Sequence, residues 1–322
     1  MRSSSVRLTG AWGLTHPVGV HPLLFRARRA YRKLRWTMLR GGPGRTPRIL
    51  TVSTANGTLS FSNMDLHNAR ALYVQRAWES DLLEATSRVL REEVAPTRPG
   101  ANLLVEAGAN IGMICIAMLK HGDFREAVAI EPDPLNFELL ERNIRQNGLA
   151  DRIHPVPCAL SASSGEAELE RSESNFGDHR VRVQSDRKAL MGEDGRATLR
   201  VPMRSLDDVL EAEGIEPGRI GLVWVDVQGY EGHLFRGARR TLAGGSPVLS
   251  EFWPYGIQRS GIDRDSYAEL LRSLFQRLAV FDAAGRQFVP HDLSRIEELF
   301  DRTSGPEQYL ELLLFPRTSP TG

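Results

Sequence analysis

Residues Asn102–Pro132 read NLLVEAGANIGMICIAMLKHGDFREAVAIEP, and this stretch decides the fold. Asn102–Val105 is a short apolar run that predicts a buried strand ending in Glu106. The turn Gly108-Ala109-Asn110-Ile111-Gly112 follows at once, Ile111–Leu119 predicts an apolar helix, and Ala127–Ile130 a second strand ending in Glu131. Strand, glycine turn, helix and acid-terminated strand make half of a nucleotide-binding βαβ unit. The glycines are expected to let the backbone approach a ligand. Glu131 is placed to take both hydroxyls of a ribose.

Two ligand classes use this plan. Dinucleotide sites usually need G-x-G-x-x-G, with a pyrophosphate on the helix N-terminus. Here the spacing is E-x-G-x-N-x-G over Glu106, Gly108, Asn110 and Gly112, with an acid before the first glycine. A carboxylate there repels a pyrophosphate and attracts a cationic ligand end. S-adenosylmethionine, with its α-amino group, sulfonium and ribose, suits Glu106 and Glu131 together.

Working outward, 322 residues, 41% apolar and 25% charged, suit one large globular domain with additions. No run approaches the roughly 18 apolar residues of a membrane-spanning helix. The two cysteines, Cys115 and Cys158, sit in apolar contexts. A disulfide framework or a cysteine metal site is not expected, and a reducing, cytoplasmic compartment is favoured. No His cluster implies a metal.

The net charge of +1 hides an asymmetry. Residues 1–64 hold eleven Lys or Arg and no acid, so the other 258 carry 30 basic and 40 acidic residues. Residues 1–45 form a basic extension in which Leu24, Ala27, Tyr31, Leu34 and Met38 fall on one face of a helix over 23–40. Three occupants fit that helix: an anionic membrane surface, a targeting pathway, or the acidic core or another subunit.

Residues 46–100 form a cap, with a hairpin around Asn56-Gly57 and a helix over 68–93 containing Trp78-Glu79. Residues 101–322 form the binding domain, interrupted by a polar, hairpin-like insertion at about 166–200. Strands at 153–158, 220–225 and 247–249 alternate with helices at 134–147, 206–212 and 232–242. Val201–Arg204 is expected to return to the core, Ser266–Leu278 to be a helix, and Ala279–Phe281 and Tyr309–Phe315 to be strands. This is an α/β chain with a doubly wound, mostly parallel sheet, an antiparallel last strand and an N-terminal helical and hairpin cap.

In such a sheet the ligand lies beyond the carboxyl ends of the strands. Those ends carry Glu106, Glu131, the Cys158–Ser161 turn with Ala159, Asp226 and Glu251. Ala159 is assigned to the cofactor. Asp226 opens Asp226-Val227-Gln228-Gly229-Tyr230-Glu231, in which Gln228 and Tyr230 join Glu251 as substrate contacts; Glu231 reads equally as a helix-start acid. The insertion carries Asp178, a further expected substrate contact, beside His179. Transfer to a hydroxyl needs a base, and a histidine beside a carboxylate suits it; a surface His-Arg pair is the competing reading.

With these residues assembled, the chain resembles the FkbM-type methyltransferases over roughly Trp78 to Glu251. The likeness rests on Val105–Gly112, Ala129-Ile130-Glu131-Pro132, Arg204-Ser205-Leu206-Asp207, Val225–Glu231, Gly237-Ala238 and Glu251. Glu106 stands where that family commonly has Asp, and Gln228 where it commonly has Glu. The resemblance implies a class I methyltransferase fold of Rossmann type, S-adenosylmethionine as cofactor, and O-methylation of a sugar, glycan or hydroxylated natural product. By that mapping Glu106, Gly108, Asn110 and Gly112 hold the methionine part, Glu131 the ribose, and Asp226 lies near the transferred methyl. Two other classes compete. An NAD-dependent oxidoreductase conflicts with Glu106, and a non-catalytic binding module has only Gln228 in its favour. The acidic core disfavours nucleic acid.

Overall fold

The computed structural model describes residues 22–42, 44, 46–183, 189–303 and 305–317. The chain opens with α1 (Pro22–Leu39), then β1 (Ile49–Thr54) and β2 (Gly57–Ser62), which pair antiparallel across Asn56-Gly57. The Asn143 side chain accepts from Ser60 N and donates to Ser60 O, so a side chain satisfies the hairpin where a further strand would. Helix α2 (Asn68–Gln75) follows. The expected continuous helix over 68–93 is broken: Arg76 and Glu79 adopt φ of 64° and 47°, and α3 (Ser80–Val89) starts afresh before a π-helical turn at Leu90–Val94. Left-handed backbone at two bulky residues is costly. It swings Trp78 and Glu79 out of a helix and into the cavity described below.

The core then runs β3 (Leu103–Ala107), α4 (Met113–His121), β4 (Glu126–Ile130), α5 (Pro134–Gln146) and β5 (Ile153–Val156). Next come β6 (Ala159–Leu160), β7 (Gly165–Glu170), β8 (Arg180–Val181), β9 (Thr198–Arg204), α6 (Leu206–Ala212) and β10 (Ile220–Val225). The last part is α7 (Glu231–Arg236), α8 (Arg239–Ala243), β11 (Val248–Phe252), α9 (Pro254–Arg259), α10 (Arg264–Leu274), β12 (Phe275–Asp282), β13 (Gln287–His291), α11 (Ile296–Arg302) and β14 (Leu310–Pro316).

One eight-stranded sheet has the order β13-β12-β14-β11-β10-β3-β4-β5. Strands β5, β4, β3, β10 and β11 are parallel, and β14 inserts antiparallel between β11 and β12. Every residue of β3 and β10 is buried, as parallel strands covered on both faces require. One face carries α2–α5 and the cap with Leu104, Leu222 and Trp224; the other carries the later helices with Leu103, Val105, Val223 and Val225. Strand order reverses between β3 and β10, which opens a crevice there.

Two stretches depart from expectation. Val201–Arg204 does not join the core sheet; as part of β9 it forms a separate sheet of order β6-β9-β7-β8. The strand expected at 279–281 begins at Phe275, because β12 pairs with β14 from Phe275↔Pro316 onward. That partner lies some forty residues ahead, out of reach of local periodicity.

Candidate active site

The turns after β3 and β10 are built against each other. Gly108 has φ of +84°, and a Cβ there would fall 1.8 Å from the Asp226 carbonyl oxygen. Its hydrogen side chain admits the neighbouring turn, more than a ligand. Gly112 is the residue before α4, where an added Cβ would press on Leu140, and it does not line the cavity. Its expected ligand contact is therefore replaced by helix packing. Asn110 takes φ of 50°, a conformation asparagine tolerates better than most.

Glu106, 2% exposed, accepts a hydrogen bond from Cys115 N at 3.0 Å in the first turn of α4. A carboxyl oxygen thus already takes a free N–H at the end of the helix where a dinucleotide site would set its pyrophosphate. Glu131, 4% exposed, accepts from Asn110 N and Asp133 N, both at 2.8 Å, one on each oxygen. Burial pushes both carboxyls up to about 8, against the pull of these donors. Each is ready to ionise when a cation or hydroxyl donors arrive.

Both face a cavity of about 530 Å³ that the cap and the insertion roof over. Asn110 Nδ2 and Asn136 Nδ2 each donate to Phe176 O at 3.0 Å, and Leu66 N donates to Ser174 O at 2.7 Å. Asn136 is 1% exposed and lines the cavity, yet its Oδ1 has no partner. It is a waiting acceptor that sequence reading missed, since nothing in a helical Asn marks it.

His179 lies in the roof, but not as a base. Its Nδ1 accepts from Ser172 N at 3.1 Å, which puts the proton of the neutral ring on Nε2, 3.9 Å from Asp133 Oδ2. Burial lowers its pKa to about 4, and the ring lies 5.5 Å from that of Phe176. Asp133 meanwhile caps α5 through Leu135 N and Asn136 N and pairs with Arg171 at 2.8 Å. His179 therefore holds the loop in place. Asp178 is likewise engaged: Arg180 and Arg196 both bond its carboxylate, and the Arg180 guanidinium lies 4.6 Å over the Trp253 ring. Neither residue is free to serve an acceptor as the sequence suggested.

Besides Glu106 and Glu131, the cavity is lined by Glu79, Asp226 and Glu251. Gln228 Nε2 donates to Asp226 Oδ1 at 2.7 Å and to Glu251 Oε1 at 3.3 Å, bridging two strand ends. It does so from a left-handed φ of 54°, a strained position that the fold supports. Glu231 is fully buried, and its Oε1 accepts from Val227 N and Gly229 N, which holds this turn in shape. Tyr230 lines the cavity with its ring stacked on His233 at 4.1 Å. Burial lifts Asp226 to about 6. Glu79 rises to about 8 through burial and then the charges of Asp226 and Glu106. Burial, then Asp226 and Glu311, lift Glu251 well above the usual range. The neighbouring charges that raise these acids are all carboxylates, Asp178 for Asp226 and Asp226 for both Glu79 and Glu251. Among the described residues, no His, Cys, Asp or Glu cluster is arranged to hold a metal ion.

The profile described as "Methyltransferase FkbM domain" matches residues 106–281, more than half of the chain. The chain belongs to the FkbM methyltransferase family. Its cofactor is S-adenosylmethionine. The residues present fit that group: two buried carboxyls lie beside the turn after β3, and a buried amide oxygen lacks a donor. The chain is 27% identical over 160 residues to methyltransferase sdnD of Sordaria araneosa, covering 43% of this chain and 61% of that protein. Among solved structures, a SAM-dependent O-methyltransferase from Thermotoga maritima is 11% identical with a TM-score of 0.40, covering 85% of this chain and 79% of that one. A geranyl diphosphate methyltransferase in complex with SAM is 13% identical, TM-score 0.38, covering 78% and 90%.

In this FkbM methyltransferase the raised carboxyls have a measurable consequence. Carboxyls with folded values near 8 and ordinary values of 4.5 keep the native state protonated where the unfolded chain is ionised. Stability of the empty protein is therefore expected to fall as pH rises from about 4.5 through 8. Binding of S-adenosylhomocysteine, whose ammonium group favours the ionised acid, should release protons at pH 7 and tighten toward pH 8. Calorimetry in two buffers of different ionisation enthalpy reads this directly; a binding heat independent of buffer would contradict it.

Proposed function

We propose that this methyltransferase acts on a hydroxyl of a neutral, polyhydroxylated acceptor, a sugar, glycan or hydroxylated natural product. The observation that carries the reading is the Asp226, Glu251 and Glu79 group on the cavity wall, the first two bridged by Gln228, with Glu251 and Glu79 raised by burial and then by neighbouring carboxylates. Asp226, ionised at neutral pH, accepts hydrogen bonds from hydroxyls and repels anions, and the carboxyls of Glu79 and Glu251, held toward their protonated form, can also donate to a hydroxyl. Tyr309, half exposed at the cavity, adds a flat apolar surface on which a ring can rest.

Bound S-adenosylmethionine supplies an electrophilic methyl on a sulfonium. On our reading Glu106 takes its ammonium end, Glu131 the ribose hydroxyls through its remaining lone pairs, and the orphan Oδ1 of Asn136 a donor of the adenine. The bound group would supply the methyl to the acceptor oxygen, and Asp226 on the cavity wall would take the proton of the acceptor hydroxyl. With a carboxyl lifted to about 6, Asp226 is ionised at neutral pH and more basic than an ordinary aspartate. Holding the two reactants in register contributes the larger part of the rate.

The test is a paired acceptor panel, each neutral alcohol set against its uronate or phosphate counterpart, with S-adenosylhomocysteine release as the readout. Neutral acceptors should exceed the charged ones by about a hundredfold in kcat/KM, equivalent to ~3 kcal/mol of like-charge repulsion. Preference for an anion, or transfer only to nitrogen or carbon, would overturn the reading.

A further inference from the structure

The first helix displays an exposed apolar stripe that the catalytic site does not use. At 3.6 residues per turn, Leu24, Ala27, Tyr31, Leu34 and Met38 run along one side of α1, and the four large ones are 47%, 60%, 58% and 69% exposed. Trp36 lies on the opposite side, 3% exposed, with its ring 5.6 Å from Tyr73 of α2. Leu39 O accepts from Asn63 Nδ2, so the helix is seated on the cap by its far side. Exposed cations flank the stripe on both sides, Arg28 and Arg35 at its edge and Arg26 and Lys33 farther round, beyond Ala30 and Thr37.

We infer that α1 is a docking surface for an anionic lipid bilayer, lying in the plane of the headgroups with its apolar stripe inward. Charge decides among the occupants. Residues 1–64 contain no acid, and the seated side of the helix meets Arg76 close to Arg32, so attraction to the acidic core is not what it offers. An apolar stripe with arginines and a lysine flanking it on both sides matches a surface that is apolar below and negative above: the stems lie along the acyl boundary while the charges reach the phosphates. No helix of the described residues is long and apolar enough to cross a membrane, so the contact is peripheral.

The experiment is co-sedimentation of the full chain with vesicles of phosphatidylcholine containing about one-third phosphatidylglycerol, against pure phosphatidylcholine. We expect a partition coefficient at least tenfold higher on the anionic vesicles, falling as salt rises. The pairs Arg28→Gln/Arg35→Gln and Tyr31→Glu/Leu34→Glu should each lower it tenfold or more. Both pairs lie on the exposed side, and S-adenosylhomocysteine should still stabilise these variants as it does the parent. Equal partition on both vesicle types, or indifference to both pairs, would overturn the assignment. So would a dimer in light scattering that Tyr31→Glu/Leu34→Glu converts to monomer without any vesicle binding, which would make the stripe an interface between copies.

Discussion

Glu131→Ala should weaken S-adenosylhomocysteine binding by about a hundredfold or more. The wild-type carboxylate can take two ribose hydroxyls, and charge-assisted hydrogen bonds are worth ~1.5–3 kcal/mol each. Loss of the pair outweighs the ~2.8 kcal/mol that separates a hundredfold change in affinity. The substitution has a second effect, because Asn110 N and Asp133 N lose their acceptors together. Unsatisfied buried N–H groups cost ~1–3 kcal/mol each, so the empty variant should also melt several degrees lower. The two effects separate by method: calorimetry reads affinity at a temperature where both proteins are folded, and a thermal scan reads the turn. If affinity survives while the melting temperature falls, Glu131 shapes the turn and does not hold the ribose. Glutamine offers no clean alternative, since one of its two ends would set an NH2 group against a backbone N–H.

The second large effect is expected at Asp226. Asp226→Asn keeps the shape and leaves a carbonyl oxygen for Gln228, so folding and cofactor binding should change little. Removal of a general base typically lowers the rate ~10²–10⁴-fold, and kcat should fall within that range with KM nearly unchanged. The pH profile carries the assignment. In the parent, kcat/KM should rise through about 6 as Asp226 ionises, and the variant should lose that limb. His179→Gln should retain it, because the imidazole already accepts from Ser172 N and its other nitrogen faces Asp133. A profile flattened by His179→Gln but not by Asp226→Asn would return the base role to the histidine.

The parts of this site that were legible in the chain are those that local physics dictates. Leu103–Ala107, Glu126–Ile130 and Ile220–Val225 read as strands because two-sided burial in a parallel sheet demands continuous apolar runs. Acids close to the strand terminus or just beyond it mark the ends of these strands and of Val248–Phe252, where the chain meets the crevice, and so Glu106, Glu131, Asp226 and Glu251 could be named from position alone. Tertiary structure decided what depends on distant partners. Glu79 enters the cavity only because the helix over 68–93 breaks. Gly108 and Gly112 proved to serve packing against Asp226 and Leu140, contacts between residues 28 to 118 positions apart. His179 could be judged only once Ser172, Asp133 and Phe176 surrounded it: burial and a backbone donor remove a base that the Asp-His pair alone suggested. Local sequence sets backbone preference and hydrophobic period over a few residues, whereas desolvation and hydrogen-bond occupancy belong to whichever side chains the fold brings together.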